Sequence, residues 1–186
     1  MHILYLIGGP GTGKSTLMRA LTAGATRTPK AQATVPHELL RFPGDDIPSG
    51  AEIGLRRPDF PGTDTLSMSI NPIASAALTD GTWSTTRVLF GEGDRLANQA
   101  FLSTAHTHHN LHVVFLRTDP RTVVERCSQR GSSQDETWLR GRITKSERLA
   151  GRLDSAGIRV QELEASLPID RLVSDVRKKF GDPSEL

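Results

Sequence analysis

The sequence predicts a three-layer α/β fold, a parallel sheet with helices on both faces. Short, mostly apolar runs recur along the chain, as expected of strands buried on both faces. Segments of helical spacing separate them, which implies right-handed crossovers between parallel strands. A glycine-rich stretch joins the first run to the first helix, and ligands of such folds gather at the carboxyl ends of the strands.

The elements follow in order. His2 to Ile7 reads as a buried strand, and Leu17, Met18 and Leu21 mark a helix from Lys14 to about Ala23. Residues 26–86 hold seven of the 11 prolines and show little clean periodicity apart from a helix near Pro72–Leu78. So long a stretch inside a compact domain is usually functional, and it reads as a region that binds a second substrate. Arg87 to Gly91 is a second core strand, followed by a helix from about Arg95 to Ala105, with Asp94 able to cap it. Leu111 to Leu116 is a third strand. Asp119 and Pro120 suit the N-cap and first position of the next helix, which stops near Gly131. A longer helix runs from about Ser133 to Ala156 and ends at Gly157. Ile158 to Leu163 is a late strand, and Ile169 to Phe180 an amphipathic helix.

Composition narrows the class. At 186 residues, 36% hydrophobic and 24% charged, the chain reads as one soluble domain, 1–186. No apolar stretch approaches the roughly 20 residues a membrane span needs. The start lacks the basic region of a signal peptide, and the lone Cys127 fits a reducing cytoplasm. Net charge is only +2 and aromatics are 5%, which argues against a generic nucleic-acid coat.

Gly8-Gly9-Pro10-Gly11-Thr12-Gly13-Lys14-Ser15 meets the pattern G-x-x-x-x-G-K-[S/T] in full, between a strand and a helix. Its backbone N–H groups form a nest for the β-phosphate, and the helix start adds partial positive charge. Lys14 suits the β- and γ-oxygens of ATP, Ser15 suits Mg²⁺, and Thr16 closes the set. The chain lacks an Asn-Lys-x-Asp guanine-reading motif and is short for a motor domain, leaving phosphotransfer to an acceptor.

Arg126, Arg130, Arg140, Arg142, Lys145 and Arg148 follow the third strand in a helix-turn-helix. With the phosphate loop, this order of elements resembles the nucleoside-monophosphate-kinase-like group. The resemblance implies a three-layer P-loop kinase fold with a small helical lid at about 126–150, Arg130 and Arg142 neutralising charge as it closes. The alternative is a solvated basic face paired with Glu136 and Glu147.

The second core strand runs into Glu92-Gly93-Asp94-Arg95. Glu92 and Asp94 are placed to join Ser15 in holding Mg²⁺, and Arg95 to contact the acceptor or a phosphate. The segment Gly54 to Ser67 mixes cations, carboxylates and hydroxyls among prolines. Asp64 is its candidate base, with a turn-forming role as the alternative, and Arg57 its candidate phosphate contact. This segment, Asn71-Pro72, and Glu92 to Asn98 resemble small P-loop kinases of bacteriophages. That resemblance implies thymidylate-kinase-like acceptors, including 5-hydroxymethyluracil already in DNA. A kinase of a non-nucleotide hydroxyl and an ATP-responsive regulatory module are the other readings. The histidines 106, 108, 109 and 112 straddle a helix end and a strand start with no cysteine joining them, and read as a solvated loop.

Overall fold

The computed structural model describes residues 1–57, 62–129 and 135–185. Among them, seven strands form one sheet in the order β2-β3-β4-β5-β1-β6-β7. The strands are β1 (His2–Ile7), β2 (Thr26–Lys30), β3 (His37–Arg41), β4 (Gly50–Ile53), β5 (Val88–Glu92), β6 (Asn110–Arg117) and β7 (Val160–Glu164). The helices are α1 (Lys14–Leu21), α2 (Ile70–Ala77), α3 (Gln99–His108), α4 (Pro120–Gln129), α5 (Glu136–Ser155) and α6 (Ile169–Phe180). A 3₁₀ turn covers Gly62–Thr65.

The expected parallel sheet is present from β4 to β7, and an antiparallel pair, β2 and β3, extends it beyond β4. The described residues of 26–86 are therefore more ordered than their sequence suggests. β2 is an edge strand, which lets it carry Pro29 without losing a ladder bond it needs. β3 and β4 carry glutamates at buried positions, so neither shows the apolar pattern that would reveal it.

Alternation along β1 sorts the layers. Ile3, Tyr5 and Ile7 enter a core with Ala74 of α2, Phe101 of α3 and Leu153 of α5. Leu4 and Leu6 enter the other, with Leu17, Met18 and Leu21 of α1 and Leu172, Val176 and Phe180 of α6. A third, small cluster of Val123, Cys127, Leu139 and Ile143 joins α4 to α5. Cys127 is thus a packed hydrophobe.

Two boundaries shift for local reasons. The helix after β5 starts at Gln99 because Asn98 caps it, accepting from Phe101 N at 3.0 Å, so Asp94 is not the cap. α5 is capped by Asp135, whose Oδ1 accepts from Trp138 N at 2.8 Å. Among the described residues no helix is long and apolar enough to cross a membrane.

Candidate active site

The glycine-rich loop lies at the carboxyl end of β1, and α1 starts directly behind it. Gly13 takes φ 88°, a left-handed conformation open to glycine, and its carbonyl accepts the first helical bond, from Leu17 N. Thr12 Oγ1 donates to Gly9 O at 2.9 Å and fixes the loop's curvature. Lys14 Nζ lies over the loop, donating to Gly8 O at 2.9 Å and Gly9 O at 2.8 Å. Pro10 and Gly11 complete the rim, and Thr16 is exposed on the first turn of α1. Helix α5 reaches this loop: a Cβ on Gly9 would lie 2.9 Å from Ile143 Cγ1, so the contact requires glycine.

Beside the loop, β5 ends at Glu92, which is 2% exposed. Ser15 Oγ donates to Glu92 Oε2 at 2.9 Å. Burial pushes the Glu92 carboxyl up to about 7, against the pull of the Ser15 bond and the Lys14 ammonium, while Glu52 and Asp64 raise it further. Hydroxyl and carboxylate oxygens so close together are the hard donors Mg²⁺ prefers.

The 3₁₀ turn is bound to the loop after β5. Thr63 Oγ1 donates to Glu92 O at 2.7 Å, and Asp94 N donates to Asp64 Oδ1 at 2.7 Å. Gly62, at φ 64°, permits this approach, since a Cβ there would lie 2.6 Å from Glu92 Cγ.

Comparison with protein families matches residues 1–178 to the family described as P-loop Nucleotide Kinase3. The chain belongs to that family. It is a kinase with a nucleotide-binding phosphate loop. Comparison with curated proteins finds no match. Among solved structures, an unliganded sugar kinase from Janibacter sp. HTCC2649 is similar, with TM-score 0.54 and 12% identity over 99% of this chain and 96% of that one. A deoxyadenosine kinase from M. mycoides, with dCMP and a flexible dCDP bound, has TM-score 0.50 and 12% identity over 96% of this chain and 98% of that one. At such identity these two likenesses concern the fold.

In this P-loop kinase the residues singled out from sequence fall into three groups. Lys14, Ser15, Glu92 and Asp64 surround the end of β5, with Lys14, Asp64 and Glu52 all acting on Glu92 electrostatically. Asp94 stands two residues beyond Glu92. Its carboxylate forms an ion pair with Arg142 of α5 and lies 3.4 Å from Lys145 Nζ. Arg142 also lies over the Trp138 ring, 4.9 Å from its centre. Arg95 Nε donates to Leu66 O at 3.2 Å, holding the segment after the 3₁₀ turn. Arg57 is exposed, and Arg130 lies outside the described residues.

Sequence reasoning missed a buried ionic group that joins β2, β3 and β4. Arg27 bonds Glu38 Oε2 and Glu52 Oε2, each at 2.5 Å, and Arg56 lies 3.4 Å from Glu52. Thr22 Oγ1 accepts from both arginines at 2.9 Å, and Arg56 N donates to Glu38 Oε1 at 2.8 Å. Burial is the main force lowering the Arg56 pKa, with Arg27 adding to it and the glutamates opposing it. No local pattern in the sequence marks it, because Arg27, Glu38 and Glu52 lie on three different strands. The histidines are separate: His109 bonds Leu78 O and His112 bonds Gln161, and among the described residues no group of three or more His, Cys, Asp or Glu is arranged to hold a metal.

Proposed function

We propose that this kinase transfers the γ-phosphoryl of ATP to a nucleotide-type acceptor, either a nucleoside monophosphate or a hydroxymethylated pyrimidine in DNA. The observation that carries the reading is the meeting of Lys14, Ser15 and Glu92 at the end of β5, with Asp64 beside them. The family's description as nucleotide kinases supports the acceptor class.

Lys14 leaves the Gly8 and Gly9 carbonyls for the β- and γ-phosphate oxygens, and the loop's N–H groups hold the β-phosphate. Ser15 and Glu92 would hold Mg²⁺, which supplies charge neutralisation between the phosphates when bound. Asp64 keeps one oxygen on Asp94 N and offers the other to the acceptor, taking the proton of a hydroxymethyl group, whereas a nucleoside monophosphate attacks through a phosphate oxygen that is already ionised. Arg142 exchanges Asp94 for the transferring phosphoryl as α5 settles over the loop. Arg95 and Arg57 steer the acceptor.

Labelled ATP offered with free nucleotides in one tube and 5-hydroxymethyluracil DNA in another, at two salt concentrations, separates the two acceptors. Label in DNA alone, falling with salt through counterion release at Arg57 and Arg95, assigns the DNA acceptor. Label in free nucleotides alone assigns the other. Label in neither, with transfer to a sugar, overturns the nucleotide reading.

A further inference from the structure

Tyr5 is the one aromatic residue in a strand otherwise built of His2, Ile3, Leu4, Leu6 and Ile7. It is 0% exposed, in the core shared with α2 and α3, where its ring meets Phe101 edge-on at 6.1 Å. An aliphatic residue or phenylalanine would satisfy that packing. The hydroxyl needs another explanation, because an apolar position gains nothing from a polar group unless the group has partners.

Its partners all lie at the site. Tyr5 Oη donates to Gly93 O at 2.9 Å and lies 3.3 Å from Thr63 Oγ1, which itself donates to Glu92 O at 2.7 Å. One residue on, Asp94 N donates to Asp64 Oδ1 at 2.7 Å. The backbone from Glu92 to Asp94 is therefore held at three consecutive residues, by Thr63, Tyr5 and Asp64. Room for the ring comes from Gly91, where a Cβ would lie 2.6 Å from Tyr5 Cδ2 and Cε2. Burial and the carboxylates of Asp64, Asp94 and Glu92 raise the Tyr5 pKa, so the hydroxyl keeps its proton and remains a donor.

We propose that the Tyr5 hydroxyl is a positioning group of the transfer site, registering the turn that carries Asp64 and the loop that follows Glu92 against the strand that carries the phosphate loop. The donor side follows β1 directly, because Gly8 is three residues after Tyr5. The acceptor side reaches β1 twice, through the β5 ladder, where Leu6 stands beside Glu92, and through this hydroxyl, which holds the residues just beyond the ladder. One strand thus sets the spacing between the bound phosphates and the acceptor base, where a misplacement of about 1 Å can cost about 100-fold in rate. The role in transfer rests on the function proposed above; the mechanical coupling does not.

The test is Tyr5→Phe, which keeps the ring and removes the hydroxyl, measured in two ways on the full chain. Amide hydrogen exchange is followed at 62–66 and 92–95. Acceptor-dependent kcat and KM for ATP are followed with deoxynucleoside monophosphates and with 5-hydroxymethyluracil DNA. Exchange at these two segments is expected to rise about tenfold with other regions unchanged, and kcat to fall about tenfold while KM for ATP holds within about twofold. Thr63→Val, which leaves the core ring in place, is expected to give the same pattern, and the double variant little more than either single one. Unchanged exchange overturns the proposal, as does raised exchange with unchanged kcat, which marks a purely structural bond. If the wild type phosphorylates no acceptor of either kind, the proposed function fails, and the exchange result still decides the coupling.

Discussion

Ser15 Oγ donates a 2.9 Å hydrogen bond to Glu92 Oε2, joining the first turn of α1 to the end of β5 across 77 residues of sequence. The bond brings a loop hydroxyl to a carboxyl that burial has raised from 4.5 to about 7. Between those values the folded chain holds a proton that the unfolded chain has released. Stability should therefore fall as pH rises through that window, by about 3 kcal/mol at most, and Glu92→Gln should remove the effect. Urea melts of both proteins from pH 4 to 8 without Mg²⁺ check this. Parallel pH profiles would contradict it.

Asp64 is expected to act on the acceptor. Asp64→Asn should lower kcat about 100-fold or more with the apparent affinity for ATP nearly unchanged. The amide still accepts from Asp94 N, so the loop keeps its place. Steady-state kinetics against both substrates separate the effects, and a change confined to ATP would reassign Asp64 to the donor side.

The Asp94–Arg142 pair should break when phosphates are bound. Trp138, 37% exposed and beneath the Arg142 guanidinium, reports it. In a Trp83→Phe background, a bisubstrate analogue should shift Trp138 emission, and Asp94→Asn should shift it in part without ligand. An emission spectrum indifferent to saturating analogue would mean that α5 is a fixed scaffold.

Glu52 holds Arg27 and Arg56 in a largely buried setting, so Glu52→Ala leaves two cations short of a partner. The loss should be about 3–5 kcal/mol, well above that of an exposed pair such as Arg140–Glu136. Thermal melts of Glu52→Ala and Glu136→Ala compare the two directly; equal losses would show that the buried group is a passive feature.

How far the sequence reaches depends on what each element buries. β1, β5, β6 and α6 are legible because they bury apolar residues at the period of their structure, as Leu172, Val176 and Phe180 do. The phosphate loop is legible because its chemistry requires fixed residues at fixed spacing. β3 and β4 are not, because their buried positions include Glu38 and Glu52, whose partner Arg27 lies on another strand. The Asp94–Arg142 pair joins residues 48 apart, and no local rule links them. Tyr5 is hidden for the opposite reason: in sequence it looks like any core residue, and only its hydroxyl's partners reveal more.

The central claim, that the phosphate loop serves transfer to a nucleotide-type acceptor, is tested most directly by single-turnover transfer of γ-label from ATP. Wild type and Lys14→Ala are compared with deoxynucleoside monophosphates and 5-hydroxymethyluracil DNA as acceptors. Wild type should label one of them, and Lys14→Ala should be slower by about 1,000-fold while keeping its fold, since the ammonium stabilises charge on the transferring phosphoryl. Transfer by the variant within about tenfold of wild type, or no label in either acceptor with wild type, would contradict the account.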